Sequence, residues 1–164
     1  NYYEWLAAGQ YDIGRLKGTM HQAETVIKSI FYGFDVNSMH LRFDLNIDMA
    51  SPDIRELSFG AIILNPKPFK VKAIFDEQQN KHVMSIYKPL DDRWELYKTL
   101  GLACVKDIVE LSVPFSDIGA KANDEMQFIV VVEKDPQELE RWPRGGSINF
   151  NVPSSDYMEK QWTV

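Results

Sequence analysis

At 164 residues the chain is the size of one domain, large enough to bury about two thirds of the surface its unfolded form would expose and to need no disulfide or metal staple. An apolar fraction of 45% with 26% charged residues excludes a disordered chain or a fibre. The net charge of -6 excludes a general nucleic-acid binder, which needs a basic footprint to neutralise phosphates. No run of about 18 apolar residues is present, so no helical membrane span is expected and a membrane partner is not. The single cysteine, Cys104, rules out an internal disulfide. Its apolar setting, Leu102-Ala103-Cys104-Val105, predicts a small buried hydrophobe.

The chain opens on Asn1-Tyr2-Tyr3-Glu4-Trp5 without an initiator methionine, which suggests an excised domain or a processed protein. Tyr2, Tyr3, Trp5 and Tyr11 stand close to Ala7, Ala8 and Gly9, a density of aromatics that predicts a terminus pinned to the body of the fold. From Thr25 to Asp48 the sequence reads as a β-hairpin. Met39, Leu41, Phe43, Leu45 and Ile47 alternate with His40, Arg42, Asp44, Asn46 and Asp48, which at period two gives a strand with one apolar face. Ile27 to Phe34 is apolar on both sides and predicts a more central strand, and Asp35-Val36-Asn37-Ser38 supplies the side-chain chemistry of a short turn.

Ala50-Ser51-Pro52-Asp53 breaks the pattern before Leu57, Phe59, Ala61 and Ile63 alternate, and Asn65-Pro66-Lys67-Pro68 breaks it again. Phe69, Val71, Ala73 and Phe75 then oppose Lys70 and Lys72, and a polar tip over 76–81 predicts a hairpin returning through His82 to Tyr87. Residues 88–102 show the least pattern and read as an irregular insertion in which Trp94 and Tyr97, three apart, share a helical turn or lie in a loop. Val109, Leu111 and Val113 restore alternation, and Pro114 to Gly119 ends it in a tight helical or turn segment. Met126 to Val132 is apolar on both faces, the pattern of a central strand, and Asp135-Pro136 stops it. After Leu139 to Trp142 and a turn at Pro143-Arg144-Gly145-Gly146, Ile148, Phe150 and Val152 alternate once more. About ten strands and no long amphipathic helix predict an all-β fold, a single antiparallel β-sandwich over residues 1–164 with one short helical turn.

Asp44-Leu45-Asn46-Ile47-Asp48 has the opening spacing of a calcium loop, but Met49 stands where the glycine belongs and Arg55 where the closing glutamate belongs. His21, His40 and His82 lack metal-ligand spacing, so no metal and no cofactor is expected. Nucleophile elbows and phosphate-cradling glycine loops are missing from the sequence. What remains is aromatic: four tryptophans and seven tyrosines. An indole can stack on the C–H face of a pyranose while Arg, Asn and Asp take its hydroxyls. Trp94, flanked by Asp91, Asp92, Arg93 and Glu95, is the first candidate for such a surface, with Arg93 and Tyr97 beside it; Trp142, next to Arg141 and Arg144, is the second.

Six blocks carry a resemblance to a known domain: EWLAAG (4–9), GTMHQAE (18–24), FYGFDVNSMHLRFD (31–44), VELSVPFSDIGAKANDEMQF (109–128), LERWPRGGSINFNVP (139–153) and DYMEKQWTV (156–164). Together they resemble the C-terminal glucodextranase-like domain that follows the catalytic barrel in family 57 glycoside hydrolases, itself similar to family 9 carbohydrate-binding modules and DOMON domains. The resemblance implies an immunoglobulin- or jelly-roll-like sandwich appended to an enzyme acting on α-glucans, with an α-glucan oligosaccharide or polysaccharide and the catalytic domain of the same polypeptide as partners. It implies no catalytic residue here, because the family's catalytic glutamate and aspartate belong to the barrel. It carries over no binding residue either, since no motif here marks the family 9 aromatic clamp; the candidate carbohydrate-binding residues remain those of the aromatic pattern, Trp94, Arg93, Tyr97, Trp142 and Arg144. Two other expectations stand beside it: a domain that packs on the barrel without binding sugar, and a haem module built from convergent His and Met ligands.

Overall fold

The computed structural model describes residues 8–13, 25–46, 52–105 and 108–154. They form twelve strands: β1 (Gly9–Asp12), β2 (Ile27–Phe34), β3 (Ser38–Leu45), β4 (Ser58–Asn65), β5 (Phe69–Asp76), β6 (Lys81–Leu90), β7 (Arg93–Leu102), β8 (Cys104–Val105), β9 (Ile108–Pro114), β10 (Glu125–Lys134), β11 (Gln137–Trp142) and β12 (Ile148–Asn151). Two 3-10 turns, Pro52–Glu56 and Phe115–Ile118, are the helical elements of the described residues.

Every pairing is antiparallel. One sheet has the order β1-β2-β3-β9-β8; the other runs β11-β10-β4-β5-β6-β7, with β12 also on β10. Since β4 occupies one side of β10, β11 and β12 share the other, β12 along residues 125–128 and β11 along 130–134.

Period-two alternation builds the core between the sheets. Met39, Leu41 and Phe43 of β3 and Val109, Leu111 and Val113 of β9 face Phe59, Ala61 and Ile63 of β4 and Phe128, Val130 and Val132 of β10 in one buried cluster. Tyr32 meets Phe128 edge-on with ring centroids 5.8 Å apart, and Phe34 stacks on Phe150 at 4.9 Å, so both sheets contribute rings to the same layer. Each fully buried Phe adds roughly 1.5–3 kcal/mol relative to an exposed one. The β2–β3 turn forms because Asp35 Oδ1 accepts the amides of Asn37 and Ser38 at 2.7 and 2.8 Å. As its apolar composition predicts, β10 is buried on both faces from Met126 to Glu133 apart from the half-buried Gln127. Ile47 and the aromatics Tyr2, Tyr3 and Trp5 lie outside the described residues.

Three expectations are corrected. Residues 88–102 are no irregular insertion: β6 runs to Leu90, turns at Asp91-Asp92, and returns as the ten-residue β7. Register shifts at Met84/Ser85 and Ile86/Tyr87 break the period-two pattern and hide the strand. Cys104 is exposed, not buried, because β8 is an edge strand on which Val105 packs toward the core. The strands number twelve among the described residues, where about ten were expected.

Candidate functional site

The two groups of candidate residues stand at opposite edges of the larger sheet. Trp142 and Arg144 belong to β11 and the turn after it, while Arg93, Trp94 and Tyr97 belong to β7. Five strand spacings, about 24 Å, separate these edges.

At the β11 edge, Val130 pairs with Trp142 and Val132 with Glu140, which turns both side chains toward the core face. Trp142 is therefore only 5% exposed, and the expected solvent-facing platform is instead an anchor in the core wall. Its indole N–H donates to Glu140 Oε2 at 3.0 Å. The same carboxylate accepts the amide of Ile27 at 3.3 Å and, through Oε1, the amide of Val26. Glu140 thus ties the edge of one sheet to the first residues of β2 in the other. The outer face of the indole carries the Arg144 guanidinium, 5.0 Å from the ring centre, a cation–π contact.

Around these groups lies an open groove of about 470 Å³, lined by Thr25, Glu138, Leu139, Glu140, Arg141, Trp142 and Arg144. Its volume is within the range of small-molecule sites. Arg141 donates from Nε and Nη2 to the two Glu138 oxygens, both at 2.8 Å, a fork that holds the arginine pKa above its ordinary value. The groove therefore combines an indole floor, largely covered, with Leu139, two carboxylates, two guanidinium groups and a threonine.

At the β7 edge the expected trio is divided. Lys70 Nζ lies 5.4 Å from the Trp94 ring, whereas Tyr97 packs 5.9 Å from Phe69. Phe69 and Lys70 are consecutive in β5 and project to opposite faces, so Trp94 and Tyr97 do too. They cannot hold one ring between them. Trp94 is half-buried, Arg93 is exposed at the hairpin tip, and Tyr97 is 52% exposed beside the Lys88 ammonium at 5.7 Å.

Alternation places Lys70 and Lys72 on a polar face; the structure buries them there instead. On the face of the sheet turned away from the core, Glu133 of β10 receives Lys70 at 2.5 Å and Lys72 at 2.8 Å, with all three residues less than 10% exposed. Across β4, Lys72 stands opposite Gly60, which offers no side chain between it and β10, and Lys70 stands opposite Ile62. Burial alone would push the Glu133 carboxyl up, but the two lysines outweigh it and hold the group below its ordinary value. Nothing local in the sequence signals this cluster, since Lys70 and Glu133 lie 63 positions apart.

Among the described residues no group of three or more His, Cys, Asp or Glu is placed to hold a metal ion. No family model matches the chain, and no curated protein or solved structure does either.

Proposed function

We propose that this chain is a non-catalytic carbohydrate-binding module, appended to a glycoside hydrolase of the family 57 type that acts on α-glucans. The observation supporting it is the groove at β11: about 470 Å³, open to solvent, with Trp142 in its floor and hydrogen-bonding side chains on its rim. A saccharide offers apolar C–H faces and hydroxyls, and in this groove the exposed Leu139 side chain and the N–H donors of Arg144 are the partners for each. The reading departs from the sequence-based one in weight. The β11 side carries it, and Trp94 contributes at most a separate contact.

A second reading has its own observation. Leu90, Leu96 and Tyr97 stay exposed on the β6–β7 hairpin, Leu96 at 56% on one face and Tyr97 at 52% on the other, so this edge is what a catalytic barrel would clasp. In that case the chain is a structural domain that stabilises the barrel without touching sugar.

Calorimetric titration with maltooligosaccharides and soluble starch separates the two. Saturable binding that is weakened in Leu139→Ala, whose side chain lines the groove and is exposed, and kept in Trp94→Ala is the expected result. No heat up to millimolar sugar overturns an α-glucan module and favours the docking domain.

A further inference from the structure

We infer that Arg144 makes the β11 groove selective for acidic saccharides, those bearing a carboxylate or a phosphate ester. The inference rests on the carbohydrate-binding reading and names the class of sugar that the same groove takes.

The argument comes from which groups in the groove still have capacity. Glu138 and Arg141 consume each other in a two-pronged pair. Glu140 is committed to three N–H donors, those of Val26, Ile27 and Trp142. Arg144 is different: it is exposed, it rests on the Trp142 ring, and among the described residues no carboxylate lies within ion-pair distance of it. A guanidinium has five N–H donors in a planar fork and no acceptor. With its central carbon 5.0 Å over the indole and no carboxylate paired with it, it keeps N–H donors available for two oxygens of one carboxylate or phosphate. The guanidinium also covers the indole face on which a neutral pyranose would otherwise stack, so the strongest contact available to a ligand is charge-assisted.

The chain's net charge of -6 opposes an anion at long range. Salt at physiological strength screens that repulsion beyond about 8 Å and weakens direct contact with Arg144 less. Glu138 and Glu140 are the opposing charges in the groove: Arg141 pairs with the first, and three N–H donors turn their dipoles toward the second.

The test compares methyl glucoside, methyl glucuronide, glucose 6-phosphate and inorganic phosphate by calorimetry, following the Trp142 indole N–H by NMR. We expect both acidic sugars to bind at least tenfold tighter than methyl glucoside and to shift that resonance. In Arg144→Gln the preference collapses toward one, with an unchanged melting temperature showing that the fold is intact. Equal affinity for neutral and acidic sugars, or a preference that survives in Arg144→Gln, overturns the selectivity while leaving a sugar site. Inorganic phosphate binding as tightly as glucose 6-phosphate shows a plain anion site and overturns it as well. If neither neutral nor acidic sugar binds, the carbohydrate-binding reading itself fails.

Discussion

Two places in the sheet show how a side chain can contradict its sequence neighbourhood. Lys70 and Lys72 look like solvent-facing positions of a half-buried strand, and what reverses that is a carboxylate far along the chain. Trp142 looks exposed among Arg141, Pro143 and Arg144, yet its strand parity against Val130 sends it inward. His82 is the third such case and the one with a pH signature. It is buried against the edge of Phe75, at 5.2 Å between ring centres, and its Nε2 has no hydrogen-bond partner. Burial lowers its pKa below the ordinary 6.5, more than its hydrogen bond with the Ile54 backbone raises it. Above that value His82 is neutral in both folded and unfolded chains and adds no pH dependence. Below it the unfolded chain takes up a proton that the native one refuses, so stability falls with pH until the folded pKa is reached. The loss is about 1.4 kcal/mol for each unit of lowering. Urea unfolding at pH 7.5 and 5.5 should show a smaller midpoint change in His82→Gln than in the wild type; equal changes would exclude His82 as the source.

At the scale of elements, strands were readable from sequence wherever the ladder is regular. β3, β4 and β9 each present a period-two core face, through Met39, Leu41 and Phe43, through Phe59, Ala61 and Ile63, and through Val109, Leu111 and Val113, although Leu57 falls just before β4. β6 is readable over His82 to Tyr87 as the return of the β5 hairpin, but its end and β7 are not, because two register shifts take residues out of alternation and the pattern then has no single period. Nor does sequence show how closely strands approach. Gly60 of β4 lies so near β5 that a Cβ built on it would stand 1.9 Å from the Val71 carbonyl oxygen, a backbone atom that cannot rotate away. Relief would require β4 and β5 to separate, and with them the bridge from Lys70 and Lys72 to Glu133. Gly60→Ala should cost about 3 kcal/mol, the upper end for overpacking. Chemical denaturation measures it, and a loss below about 0.5 kcal/mol, the level of an ordinary surface change, would show that the two strands can part freely.

For the whole molecule, the question is what joins the two sheets where the groove opens. The all-β architecture was legible as a class, since turns recur between alternating runs. The site was legible only as residue types, because β11 meets the start of β2 through a fold that brings Glu140 next to Val26, 114 positions earlier. Apolar packing holds the sheets together over most of their area, and at this edge the Glu140 carboxylate makes a polar connection between them. Removing it in Glu140→Ala strands two amides and an indole N–H in a partly buried place, at roughly 1 kcal/mol for each hydrogen bond lost, less where water reaches the freed group. A net loss of about 2 kcal/mol is expected. The effect should be local as well as global: hydrogen exchange at Val26, Ile27 and the Trp142 indole should accelerate beyond what the fall in global stability allows, while β5–β6 amides follow that fall alone. The groove should open with it, so any ligand bound there should be released faster. Wild-type exchange at those three N–H groups in the variant would mean that packing by itself closes this edge, and that Glu140 is incidental to the groove's shape.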